Sequence, residues 1–192
     1  MTADLPLITL VPLTDAERRD LLRLARHALH AALRQDESPP EITITPALSK
    51  PAAAFVSLHG HGHLRGCIGT LVADKPLHET IAQIAVSAAF DDPRFPPLAA
   101  HELADLEIEI SRLSGLVPAT PEQVCPGLHG VAVTCGEHRA VFLPQVAPQH
   151  GWDRETLLTE VCRKALLPGN AWKQSDCSLS VFVAEVFAEG AP

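Results

Sequence analysis

From Leu21 to Leu33 apolar side chains recur at helical spacing, at Leu21, Leu22, Ala25, Ala28, Leu29, Ala32 and Leu33, with arginines and histidines between them. This period predicts an amphipathic helix over about residues 15–35. Thr14 and Glu17 stand at capping-box spacing ahead of it, and the prolines of "DESPPE" stop it, because proline neither donates to nor continues the helical ladder. The pattern then changes to a short apolar run, "AAAFVSL", a glycine-rich reversal, "HGHGH", and a returning run, "LRGCIGTLV", which together predict a β-hairpin. "PLHETIAQIAVSAAF" returns to helical period through Leu77, Ile81, Ile84, Ala85 and Ala88, and "DDPRFPP" ends it.

In "LEIEISRL", Leu106, Ile108 and Ile110 alternate with Glu107, Glu109 and Ser111, the period-two signature of a half-buried strand. "VAVTC", the turn "GEHR" and "AVFLPQ" predict a second hairpin, followed by the helix "DRETLLTEVCRKALL" with Asp153 as N-cap. The apolar "LSVFVAEVF" reads as one last central strand, buried on both faces apart from Glu185. Residues 54–90 and 131–167 thus both run hairpin, connection, helix. The order predicts an α+β fold: a mixed, mostly antiparallel sheet or partly closed barrel with flanking helices, built from two β-β-α repeats. The expected layout is a lead at 1–14 and a single domain at 15–192 carrying that internal duplication.

Composition narrows the function classes. The chain of 192 residues is long enough to bury a sizeable core without staples. Its 46% hydrophobic and 20% charged residues are those of a globular protein, and no apolar run approaches the length of a membrane span. The start "MTADLPLITL" lacks the features of a signal peptide. Five cysteines, odd in number and widely spaced, point to a reducing, cytoplasmic compartment. A net charge of −8 with few aromatics disfavours nucleic acid, whose binding rests on clustered Lys and Arg.

Several side-chain groups have chemical potential. His59, His61 and His63 would share one face of an unbroken strand and could converge on zinc, but Gly60 and Gly62 favour a reversal that splays them. No metal and no cofactor is assigned. In "LRGCIGT", Gly66 and Gly69 forfeit packing within a strand, which implies a bulge or the close approach of backbone or ligand. Cys67 beside Arg65 is either an activated thiol or an inert small hydrophobe. Asp91, Asp92 and Arg94 flank Pro93, as a turn-stabilising ion pair or as an anion fork. Glu109 and Ser111 lie on the polar face of their strand, His129 stands between glycines where it could act as a base, and Gln145 offers an amide at a strand end. No P-loop, Rossmann fingerprint, G-x-S-x-G or H-E-x-x-H is present.

In order along the chain, "FVSL", "LRGCIGT", "AAFDDPRF", "EIEIS", "GLHGV", "FLPQVA" and "CRKALL" resemble the AMMECR domain family, whose bacterial members are called AmmeMemoRadiSam system protein A. The resemblance runs from about residue 15 to the end. It implies an α+β fold with an internal duplication. It also implies a pathway shared with a Memo-type, extradiol-dioxygenase-like protein and a radical S-adenosylmethionine protein, with no accepted reaction attached. The family's signature positions fall on Arg65, Gly66, Cys67, Gly69, Asp91, Arg94, Phe95, Glu109, Ser111, His129, Gly130, Pro144 and Gln145; the tip histidines depart from its pattern. Two readings follow. In the first, Cys67 is a nucleophile, His129 a general base oriented by Glu109, and Arg65, Gly66, Gly69, Asp91, Arg94, Ser111 and Gln145 bind substrate. In the second, the same pocket is a non-catalytic site for a small molecule, a peptide or a protein partner.

Overall fold

The computed structural model describes residues 8–34 and 38–190. In chain order its elements are α1 (Asp15–Ala32), α2 (Pro46–Ser49), β1 (Ala54–Gly60), β2 (His63–Thr70), α3 (Leu77–Phe90), β3 (Leu106–Leu113), β4 (Val117–Pro118), β5 (Gly130–Cys135), β6 (His138–Phe142), α4 (Val146–His150), α5 (Arg154–Lys164), β7 (Cys177–Phe182) and β8 (Ala184–Ala188). The start of α1 follows the predicted chemistry: the Glu17 N–H donates to Thr14 Oγ1 at 3.3 Å, and the Thr14 N–H donates to Glu17 Oε2 at 2.8 Å. Asp153 caps α5 in the same way by accepting the Thr156 N–H. Among the described residues no helix is long and apolar enough to cross a membrane.

The described residues divide into two compact units, one formed by residues 11–34, 38–113 and 185–190 and the other by 8–10 and 114–184. In the first, the sheet order is β2-β1-β3-β8, and β1 pairs antiparallel with both β2 and β3. Val56 and Leu58 of β1 and Ile108 and Ile110 of β3 are fully buried together with Leu21 and Leu29 of α1 and Ile81 of α3. The period-two pattern thus sends one side of these strands to the helices and leaves Phe55, Ser57, Glu107, Glu109 and Ser111 on the other. Each core side chain contributes about 1.5–3 kcal/mol by leaving water.

In the second unit the order is β4-β7-β5-β6, again antiparallel at every described pairing. Val131, Val133 and Val181 form its core with Leu157, Leu158 and Val161 of α5. The α+β class holds, but the expected single sheet or partly closed barrel is two separate four-stranded sheets, neither closed. Both sheets set the first strand of a hairpin between its partner and the strand that follows the helix. That likeness is one of topology, and the sequence duplication is not confirmed by it.

The predicted last strand, "LSVFVAEVF", is in fact two strands in different sheets. Ser114 takes both main-chain groups of Val183: the Ser114 N–H donates to the Val183 carbonyl at 2.9 Å, and the Val183 N–H donates to Ser114 Oγ at 3.0 Å. With those groups engaged, the ladder stops at Val183 and β8 starts in the other sheet. Period and composition are silent on such a handover. Cys135 and Cys177, separated by 42 residues, are bonded across β5 and β7 as a disulfide, while Cys67, Cys125 and Cys162 are free.

Candidate functional site

Strand register builds the centre of the site. Ser57 lies opposite Cys67 on one side and opposite Glu109 on the other, so Cys67, Ser57 and Glu109 form a row across β2, β1 and β3. This row is on the sheet face turned away from α1 and α3, because the intervening residues Val56, Leu58, Ile108 and Ile110 fill the core. The Ser57 hydroxyl donates to Cys67 Sγ at 3.3 Å. Ser57 is buried, and Cys67 and Glu109 are half-buried. The parallel row one pleat away is Gly69, Phe55 and Ser111, with Ser111 buried.

Because β2 is an edge strand, main-chain groups along it lack a neighbouring strand. The turn after α3 supplies partners at Cys67. Asp92 Oδ2 accepts the Cys67 N–H at 2.8 Å, and Arg94 Nη2 donates to the Cys67 carbonyl at 3.3 Å. Arg94 also grips Asp92 through Nε at 2.9 Å and Nη2 at 2.6 Å, and it interacts with the Cys67 side chain. Asp92 is 5% exposed, and the Arg94 guanidinium, ahead of the Cys67 N–H, holds its carboxyl well below the usual carboxylate range. Asp92 in turn pushes the Arg94 pKa up. Asp91, the expected partner, is an exposed C-cap of α3 whose N–H donates to Ser87.

Arg65 is engaged as well. Its Nε and Nη2 donate to the two Glu102 carboxylate oxygens at 2.7 and 3.0 Å, a bidentate pair that holds the Glu102 carboxyl down to about 2. Arg65 Nη1 is shielded from water without a hydrogen-bond partner, and the residue lines a cavity of about 270 Å³ with His61, His101 and Asp105.

The two strand glycines have a packing reason. A Cβ on Gly66 would stand 2.1 Å from the Ala88 carbonyl oxygen at the end of α3, and one on Gly69 would stand 2.2 Å from the Phe55 ring. The approach that the sequence predicts at these positions is therefore made by the protein's own helix backbone and aromatic ring. Gly130 accepts the Phe182 ring across its strand pair in the same way.

His129 and Gln145 belong to the other unit. His129 is 2% exposed; its Nδ1 accepts the Cys125 N–H at 3.3 Å, and the Gln123 backbone bonds to its ring as well. Burial pushes its pKa down, which favours the neutral ring. Gln145 is half-buried at the start of α4, after the buried Pro144. At the hairpin tip, His61 (φ 51°) and Gly62 (φ 77°) make the reversal, while Gly60 remains in β1. His61 and His63 are exposed and His59 is half-buried. Among the described residues, the group whose metal-capable atoms lie within 4.8 Å of one another is Cys135, Asp176 and Cys177.

Sequence reasoning did not single out Ser57 or Glu102 and weighted Asp91 over Asp92. For Asp92 the signal was present: an Asp directly before Pro commonly caps its own turn, and here Asp92 Oδ1 accepts the Arg94 N–H at 3.1 Å. Ser57 and Glu102 acquire meaning only through register and loop packing.

The AMMECR1 family model matches residues 22–187. A protein of Thermococcus onnurineus is 39% identical over 185 residues, covering 90% of each chain. One of Pyrococcus furiosus is 38% identical over 184 residues, covering 90% of this chain and 88% of that one. Among solved structures, the uncharacterized protein PH0010 from Pyrococcus horikoshii matches with a TM-score of 0.83 at 35% identity, over 90% of this chain and 91% of that one.

Proposed function

This chain belongs to the AMMECR1 family, and on that premise we propose that it works through a thiol centred on Cys67, in a pathway shared with a Memo-type protein and a radical S-adenosylmethionine protein. The observation that carries the reading is the row Cys67, Ser57, Glu109 set by the register of three strands. Directly opposed side chains on adjacent strands have Cβ atoms about 5 Å apart. The row therefore suits a relay in which the Ser57 hydroxyl, turning its proton from Cys67 Sγ to the Glu109 carboxylate, takes up the thiol proton as it passes its own to Glu109. With the thiol proton gone the sulfur is in its nucleophilic form, beside the guanidinium of Arg94. The thiolate would then add to an electrophilic, doubly bonded carbon of a small substrate, the electrons of the π bond moving to the atom at its other end. Asp92 fixes the Cys67 main chain so that the sulfur is held in place. In this reading His129, its ring already bonded, orders its own loop, and Glu109 takes over as base. Arg65, with one nitrogen unpaired beside a cavity, is the better candidate for holding an anionic group of the substrate. The setting proposed is the cytoplasm, with no membrane and no nucleic acid involved.

One observation favours the non-catalytic reading: Arg65 and Arg94 are both already neutralised by carboxylates, as in a scaffold that holds a binding surface in shape.

Alkylation separates the two. Iodoacetamide at neutral pH, followed by peptide mass mapping, should label Cys67 at least tenfold faster than a short unstructured thiol peptide. Ser57→Ala, Glu109→Gln and Arg94→Gln should each slow it. A Cys67 rate equal to the peptide's removes the nucleophile and leaves the binding module. In cells, a deletion strain and a Cys67→Ala strain should accumulate the same metabolite; a silent Cys67→Ala strain argues against the thiol.

A further inference from the structure

We propose that Cys135 and Cys177 form a reversible redox pair, a dithiol that closes to a disulfide by exchange with an oxidised low-molecular-weight thiol and reopens with the reduced one. The two residues are directly opposed in the β5–β7 register, with Cα atoms 4.3 Å apart. The register makes each sulfur the other's nearest reaction partner. Both residues are half-buried and adjoin exposed segments, Gly136–Glu137 on one side and Asp176 on the other, so a small disulfide can reach them. Cys162, by contrast, is fully buried, and burial pushes its thiol pKa up, the environment of an inert cysteine.

Reversibility requires a sheet that survives opening of the bond. Here five further register pairs continue from Thr134↔Ser178 to Gly130↔Phe182, backed by the fully buried Val131, Val133 and Val181. The bond closes the open end of a ladder that the core already holds. It also anchors the start of β7, where the Cys177 N–H donates to the Gln174 carbonyl at 3.3 Å. The preceding 3-10 turn, Ala171–Lys173, places Trp172 and Lys173 in the wall of a cavity of about 430 Å³ shared with Arg154 and Leu158. Opening the bond therefore frees slack next to that cavity.

One protein thiolate attacks a sulfur of RSSR, forming a mixed disulfide and releasing RS⁻, which takes up the thiol proton. The second thiolate attacks the protein-side sulfur, forms the Cys135–Cys177 bond and expels the second RS⁻. Two electrons pass from the protein to RSSR, and two RSH result. An Asp176 carboxylate oxygen lies within 4.8 Å of both sulfurs. Its negative charge opposes both formation of the thiolates and the approach of an anionic attacker.

The test equilibrates the full chain in glutathione buffers of graded ratio, traps free thiols by alkylation and reads intact mass with peptide mapping. The expected result is loss of two labels together from Cys135 and Cys177 with no added glutathione mass, at the same ratio whether approached from the oxidised or the reduced side, whereas a label lost at Cys67 or Cys125 is replaced by a bound glutathione. Asp176→Asn should speed the approach about fourfold, the effect of one charge at that separation in water. Hydrogen exchange of the reduced form should rise at residues 174–178 while 130–133 stay protected. Full alkylation of both thiols at every ratio, or loss of protection across the whole β5–β7 ladder on reduction, overturns the proposal.

Discussion

The carboxylate of Asp92 accepts the backbone N–H of Cys67 at 2.8 Å, reaching back 25 residues from the turn that ends α3. With Arg94 on the Cys67 carbonyl, the turn takes the place of a missing neighbour strand at one residue of the edge strand. An exposed edge invites pairing with other chains, and a buried carboxylate with its own counter-ion blocks it there. The same contact fixes the sulfur-bearing residue against Ser57.

Removing that carboxylate should therefore be felt in both stability and reactivity. Asp92→Ala leaves the Cys67 N–H and the Arg94 guanidinium without their partner and should cost about 2–4 kcal/mol. Urea unfolding followed by circular dichroism measures it. Alkylation of Cys67 in the folded variant should fall towards the rate of the unstructured thiol peptide; an unchanged rate would separate the clamp from the thiol.

The acid limb of stability has identifiable sources. Glu102, lowered from 4.5 to about 2 chiefly by Arg65, and Asp92, lowered chiefly by Arg94, titrate below their unfolded values. Carboxyls depressed in the folded state stabilise it fully above the unfolded pKa and lose that contribution as pH falls through the folded one. Urea midpoints should thus drop between about pH 4.5 and 2. Glu102→Gln should be less stable at pH 7 and show a shallower drop.

His129 adds a separate step at higher pH. Its pKa is lowered from 6.5 by burial, so the unfolded chain binds the proton first and stability falls as pH drops below about 6.5. Its ring resonances, followed by NMR, should titrate below 6.5. A ring that titrates above 6.5 would contradict the buried, bonded geometry.

Glycine substitutions give a sharp internal control. Gly66→Ala drives a methyl group to 2.1 Å from a backbone oxygen of α3, which cannot yield like a side chain, and should cost at least about 3 kcal/mol. Gly60→Ala meets nothing within 4 Å and should lie within about 0.5 kcal/mol of the parent. Thermal unfolding of the two variants side by side tests the packing account of the motif.

Opening Cys135–Cys177 releases a constraint on a loop of 42 residues. On the chain-entropy account the unfolded state then gains up to about 4 kcal/mol. Urea midpoints with and without reductant should differ in that direction, with the transition remaining cooperative in both.

The hydrophobic and polar pattern by itself determined α1, α3 and α5, both hairpins, the capping of α1 and α5 and the α+β class, because these follow from local period and from which backbone groups each residue can satisfy. The motifs carried the family and marked Cys67, Gly66, Gly69 and Arg94 as positions of interest. What tertiary structure decided is who meets whom. That Ser57 lies between Cys67 and Glu109 follows from register, which depends on where distant strands pair. That Asp92 rather than Asp91 holds Cys67 depends on the direction of one turn, and that Gly66 makes room for a carbonyl depends on where α3 packs. The division of "LSVFVAEVF" at Val183 and the bond between Cys135 and Cys177 belong to the same class. Both join residues far apart in sequence, and neither leaves a local pattern from which to read them.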